Sequence, residues 1–181
     1  MADATVTIRR WTGPAAGPTK TDITSSTTRA STSDDPNPGT SNPIPIPTSG
    51  SKRSYWVSTQ LSVDANPDAH TIDNLQWYTD GSNGFGTGVS CVGNTASAYV
   101  QATGTPGDTG DELNTANHAN LAGAPVNVFT YTSASPKSVT GSMAGGTGDL
   151  GHQFVFQLVV SSEASLGITP SEQFVWQYDE S

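Results

Sequence analysis

A single cysteine, Cys91, leaves the chain without an intramolecular disulfide, so packing and hydrogen bonds must hold the fold, as suits a protein made in a reducing compartment. Charge is scarce as well. Asp, Glu, Lys and Arg make up 13% of the residues, against roughly 25% in an average soluble domain, so the polar surface has to come from hydroxyls and amides. No run approaches the ~18 consecutive apolar residues of a membrane-spanning helix. The first residues, Met1-Ala-Asp-Ala-Thr-Val-Thr-Ile8, lack the basic end and apolar block of an export signal, and no Asn-X-Ser/Thr sequon occurs. These absences predict a soluble chain without an export signal or membrane partner, and speak against a secreted glycoprotein.

What is abundant excludes a helical bundle. The 181 residues include 22 Ser, 25 Thr, 19 Gly and 12 Pro, types that break helices or compete with the helical backbone for hydrogen bonds, whereas Val, Thr, Tyr, Phe and Trp suit strands. The length favours one domain, or one domain with an arm. The net charge of −9 is unevenly placed: residues 1–53 hold six bases, Arg9, Arg10, Lys20, Arg29, Lys52 and Arg53, against four acids, and the remainder holds only Lys137 against twelve acids. An acidic body with a mildly basic arm lacks the dense cationic face that phosphate binding requires, which argues against nucleic acid as a partner. The basic arm would instead suit an acidic neighbour, such as another copy of the chain.

Thr5–Trp11 alternates Val6 and Ile8 with Thr and Arg, as a half-buried strand does. The tract 13–50 then carries seven of the twelve prolines among Ser, Thr and Asp, and reads as disordered or extended. Within it, Pro43-Ile-Pro-Ile-Pro47 cannot form a central strand but suits an extended segment that lays Ile44 and Ile46 on an apolar surface. From Ser54, Tyr55, Val57, Thr59, Leu61 and Val63 alternate with a face that is polar apart from Trp56. Further strands are expected at 72–78, 88–92, 96–102, 126–132, 153–161 and 173–178, with one short helix within 111–121. Seven or eight strands without a βαβ rhythm predict an all-β antiparallel sandwich, of jelly-roll or immunoglobulin-like kind. The expected division is a strand and extended arm over 1–53 and the sandwich over 54–181, with Tyr55, Val57, Leu61, Val63, Phe154, Phe156, Leu158, Phe174 and Trp176 forming most of the core.

No motif carries catalysis. Gly146-Thr-Gly-Asp-Leu-Gly151 matches G-x-G-x-x-G, but a loop precedes it and a strand follows, where a dinucleotide site needs a strand before and a helix after; a flexible hairpin loop is expected instead. His70, His118 and His152 lie far apart without metal-ligand spacing and read as solvated. Ser90 lacks the second glycine of a hydrolase elbow, and Cys91, alternating with Val89, reads as a core thiol. Asp80-Gly-Ser-Asn83 and Asp108-Thr-Gly-Asp-Glu112 carry the oxygens for calcium but miss the D-x-[DN]-x-[DN]-G pattern, so turn roles are favoured. No cofactor and no metal is expected. Trp56, Trp77, Tyr78, Trp176 and Tyr178 read as core or subunit contact rather than as a sugar-stacking platform.

Five segments together, Asn42-Pro-Ile-Pro-Ile-Pro47, Ser54-Tyr-Trp56, Thr71-Ile-Asp-Asn-Leu-Gln-Trp-Tyr-Thr-Asp-Gly81, Tyr99-Val-Gln-Ala-Thr-Gly104 and Phe174-Val-Trp-Gln-Tyr-Asp-Glu180, resemble small β-sandwich structural proteins of tailed bacteriophages, which decorate capsids or occupy head–tail and tail positions. The resemblance covers about half the chain, mainly 42–110 and the last strand, and implies a non-enzymatic virion component whose partners are other copies of itself and a major capsid or tail protein. None of these segments is a catalytic signature, so no functional residue is transferred. The alternative is a carbohydrate- or receptor-binding module that reads a glycan with exposed aromatics. From the residues themselves, the expected partner contacts are Ile44 and Ile46 as apolar anchors and Arg29, Lys52 and Arg53 beside acidic groups of a neighbour.

Overall fold

The computed structural model describes residues 2–181. In chain order its strands are β1 (Thr5–Thr12), β2 (Thr19–Asp22), β3 (Ser51–Arg53), β4 (Val57–Ala65), β5 (Thr71–Tyr78), β6 (Val89–Ala96), β7 (Gly104–Thr105), β8 (Thr109–Gly110), β9 (Val126–Asn127), β10 (Lys137–Ser138), β11 (Met143–Ala144), β12 (Gly148–Ser161) and β13 (Val175–Glu180). The described residues contain no α-helix, and a single 3-10 turn spans Val128–Thr130. The main sheet runs β2-β1-β4-β12-β6-β9, with β3 also paired to β12. In the second sheet, β5 is flanked by β13 on one edge and by β10 and β11 on the other, and β7 pairs with β8 as a separate ribbon. Every ladder between these strands is antiparallel.

The period-two pattern of β4 and β12 decides which side chains meet. Register places Val57 opposite Phe156, Thr59 opposite Phe154 and Leu61 opposite Leu150, so one face of the main sheet is apolar and packs on β5 through Ile72, Leu75 and Trp77. Trp77 lies flat on Phe154, with ring centroids 3.7 Å apart and planes 9° from parallel. The opposite face is buried too. Residues 97–125 fold across its Trp56 end and bring Ala102, Leu113 and Leu121 onto Trp56, Ala96 and Val155, and farther along β4 Ser58, Gln60 and Ser62 are buried although polar. Gln157 satisfies this cap: its Nε2 donates to the carbonyls of Ser54 and Asp111, each at 2.7 Å, and its Oε1 accepts from Leu113 N at 2.9 Å. A buried amide with three backbone partners avoids the ~1–3 kcal/mol cost of an unmet group.

Several expectations change in place rather than kind. Residues 96–102 extend no strand beyond Ala96, 111–121 form turns rather than a helix, and the expected strand at 126–132 is two strand residues followed by the 3-10 turn. Phe174 and Trp176 pack against the core from a half-buried position, while Ile72, Leu75, Trp77, Val128 and Leu150 join its interior. The G-x-G-x-x-G stretch is no hairpin loop between neighbouring strands. It carries the chain from β11 in one sheet into β12 in the other, with Gly151 at a bulge where β12 gains residues against β4.

The largest difference concerns the first 53 residues. β1 is inserted between β2 and β4, and β3 pairs with β12, so the main sheet runs across the boundary drawn at residue 53. The tract beyond β2 lies on its own domain rather than away from it. Arg10, 2% exposed, donates from Nη1 to Thr28 Oγ1 at 2.7 Å and to Arg29 O at 2.8 Å. Tyr55 N donates to Ser31 O at 2.8 Å, Asp34 Oδ2 accepts from Gly13 N at 2.8 Å and from Gln101 Nε2 at 2.9 Å, and Thr32 N closes a loop onto Asn42 O at 2.9 Å. Composition identifies a tract too poor in apolar side chains to order itself. What orders it is a buried guanidinium and a set of backbone bonds, and hydrogen bonds to a charged group are worth ~1.5–3 kcal/mol each. Burial lowers the Arg10 pKa to about 10 against the upward pull of Asp34 and Asp35, so the side chain stays charged at neutral pH.

Candidate functional site

Beside the apolar face of the main sheet lies a cleft of about 870 Å³, whose floor residues are buried apart from the half-buried Ile8. Ile8 of β1, Val57 and Thr59 of β4, and Phe156, Leu158 and Val160 of β12 form the floor. One wall is the 23–46 tract and the other is the β12–β13 connection continuing into Phe174 and Trp176. The first wall follows from its prolines, which fix φ and remove ladder donors, so Pro43–Pro47 lies extended without joining a sheet. Ile44 packs on the core cluster and Ile46 lines the cleft. The second wall carries two of the three most exposed large hydrophobic side chains among the described residues, Leu166 at 93% and Ile168 at 76%.

The expected contact residues divide into two groups. Arg29, Ile44 and Ile46 come together along one wall of this cleft. Arg29 is exposed, and among the described residues its side chain donates only to Gly39 O, at 3.3 Å. Lys52 and Arg53 lie elsewhere and already have acidic neighbours in their own chain, Asp108 at 2.6 Å and Glu112 at 3.2 Å. Arg53 and Glu112 border a separate cleft of about 310 Å³. Arg9 pairs with Asp64 at 2.7 Å and Lys20 with Asp149 at 2.5 Å, so much of the charge asymmetry between the two parts of the chain is met within the molecule. Each of these part-exposed pairs is worth ~0–1 kcal/mol.

The two acidic loops hold turns. Asp80 Oδ1 accepts from Ser82 N at 2.8 Å, Asn83 Oδ1 accepts from Phe85 N at 3.2 Å, and Asp111 Oδ2 accepts from Thr103 Oγ1 at 2.7 Å, while Asp108 and Glu112 face the bases just named. No group of three or more His, Cys, Asp or Glu side chains converges among the described residues. Cys91 is fully buried and burial pushes its thiol pKa up.

The histidines depart from the solvated reading. His118, inside the 97–125 cap, is fully buried, with ring centroid 5.6 Å from Trp56 in an edge-on arrangement, and neither ring nitrogen has a hydrogen-bond partner among the described residues. Its pKa is lowered by that burial. His70 is half-buried, with Nδ1 3.5 Å from Glu180 Oε1. A loop position in the sequence does not reveal that the loop itself is a lid over a sheet.

Trp56 and Trp77 are 3% and 1% exposed. Trp11 sits 5.5 Å from Tyr99 with planes 39° apart and Lys20 over its ring, which is no flat platform. The apolar pair Leu166 and Ile168, on which the second wall depends, stands outside the core and contact residues expected from the sequence. Its signal is there, two large apolar residues around Gly167 in an otherwise Ser-, Glu- and Pro-bearing connection. Comparison of the chain with protein-family models, with curated proteins and with solved structures gives no match.

Proposed function

We propose that this chain is a non-enzymatic structural protein of a tailed-phage particle, a capsid-decoration or head–tail accessory subunit of the jelly-roll or immunoglobulin-like sandwich class, attached by contacts with other copies and with a major capsid or tail protein. The observation that carries the reading is the open apolar cleft with Arg29, Ile44 and Ile46 on one wall and the exposed Leu166 and Ile168 on the other. An exposed apolar rim of this kind marks a protein–protein contact rather than a site for chemistry. Four of the seven bases pair with carboxylates of the same chain, which leaves little for a phosphate backbone. The resemblance of Asn42–Pro47 and Phe174–Glu180 to phage structural proteins supports the particle setting.

The test is co-sedimentation. Tagged chain produced during assembly of the particles that encode it should travel with them through a density gradient, and Ile44→Asp with Ile46→Asp should lower its occupancy on them. Recovery of the wild-type chain only in the soluble fraction would overturn the reading. A glycan reader would instead bind immobilised oligosaccharides, which the buried Trp56 and Trp77 speak against.

A further inference from the structure

We infer that the cleft is a self-association surface: a second copy of this chain docks on it about a two-fold axis, each copy laying Leu166 and Ile168 against Ile44 and Ile46 on the opposite wall of the other, with Arg29 of each facing Glu172 of its mate. The inference rests on the assembly reading above and specifies which surface makes the contact between copies.

Three observations carry it. Leu166 and Ile168 stand at the rim of the cleft in their own chain while being 93% and 76% exposed, and Ile44 and Ile46 on the opposite wall are half-buried, so the two walls both present apolar surface. The residues 165–171 that bear them make no hydrogen bond to the rest of the described chain, whereas the ends of the connection are seated. Ala164 N donates to Ser161 O at 3.2 Å, and Phe174 packs on Trp77 and Phe156 with centroids 5.1 and 4.9 Å away.

The charges are opposite on opposite walls. Arg29 lines one and Glu172 the other, and neither takes part in an ion pair among the described residues, while Arg9, Lys20, Lys52 and Arg53 all do. A two-fold rotation sets each wall against its counterpart, which is the self-complementarity an isologous interface requires. The net charge of −9 opposes association, but salt screens it beyond ~8–10 Å, and the two Arg29–Glu172 contacts lie within that range.

Sedimentation equilibrium of the purified full chain at physiological salt should show a dimer. Leu166→Ser with Ile168→Ser should abolish it while leaving the far-ultraviolet circular dichroism of the chain unchanged, since both side chains are exposed in the single chain. Arg29→Glu alone and Glu172→Lys alone should each weaken dimerisation about tenfold or more. Mixing those two single variants should restore a mixed dimer, because each copy then meets an opposite charge across both contacts. A monomer at every concentration overturns the inference, and so does a dimer that the four substitutions leave intact. A mixture that fails to recover while the single variants stay folded also overturns it, because the contact then closes within one chain. A monomer that still co-sediments with particles defeats this interface and leaves the particle role standing. A dimer with these properties that is missing from particles does the reverse.

Discussion

Trp77 of β5 lies on Phe154 of β12 with ring centroids 3.7 Å apart and 9° between planes, and this stack joins the two sheets at the centre of the core. Tyr131 meets the edges of both rings, at 6.4 and 6.2 Å. Trp77→Ala or Phe154→Ala should each cost about 3–5 kcal/mol in denaturant unfolding. The double variant should cost less than the two losses added, by about 0.5–1.5 kcal/mol for the ring–ring term. Strict additivity would mean that the stack contributes no more than its buried area.

Arg10 pins the 23–47 tract through Thr28 Oγ1 and Arg29 O. Arg10→Met keeps much of the volume and removes the donors, so the tract should become the first site of limited proteolysis while the strand spectrum in far-ultraviolet circular dichroism persists. Cleavage within 23–47 at the wild-type rate would show that the prolines and Ile44 hold the tract without the guanidinium.

His118 should make stability fall with acid. Its pKa in the folded state lies below the ordinary value of 6.5 because burial disfavours the cation, so below that value the unfolded chain binds the extra proton and folding has to expel it. The stability is fully present above about pH 6.5 and is lost as the pH falls below it. His118→Leu should flatten this part of the curve, measured as the difference in Tm between variant and wild type across the pH range, which cancels the carboxylates common to both. A pH-independent difference would place the proton elsewhere.

Gly151 sits at φ +67°, and a Cβ there would lie 2.5 Å from Thr140 O and 2.8 Å from Gly141 Cα. Gly151→Ala should therefore cost about 1–2 kcal/mol for the left-handed backbone and about 1–3 kcal/mol more for the overlap, read as a lowered denaturant midpoint. An unchanged midpoint would mean that the crossing from β11 into β12 has slack.

The local pattern carries β4 and β12 well, because alternation of Val57, Leu61 and Val63 with Ser58, Gln60 and Ser62 is the pleat of a strand written in letters. It does not say that the polar side is also buried, and the cap over Trp56 at its start comes from 97–125 and is joined by Gln157, 44 residues beyond Leu113. Arg29, Ile44 and Ile46 are legible as contact chemistry for the same local reason. Lys52 and Arg53 are not, because their fate is set by Asp108 and Glu112, 56 and 59 residues away. The tract 13–50 shows the limit most directly. Its composition describes how little apolar surface it brings, whereas the guanidinium that holds it belongs to β1.

The central seat of β12 governs how the chain reaches this structure. β12 separates β4 from β6 and pairs with β3 as well, so those strands complete their ladders only when residues 148–161 arrive. Thr59 bonds Phe154 across 95 residues, and closing a loop of that length costs about 4 kcal/mol of chain entropy before any contact repays it. Sheets assembled from such distant strands fold in milliseconds to seconds rather than microseconds. On a ribosome adding ~5–20 residues per second, β4 waits roughly 5–20 s for its neighbour with Val57, Leu61 and Val63 uncovered and one edge open. Every nascent copy passes through that interval as a template for strand pairing with others, so yield in the cell should depend on temperature and chaperone supply more steeply than the stability of the finished domain would suggest.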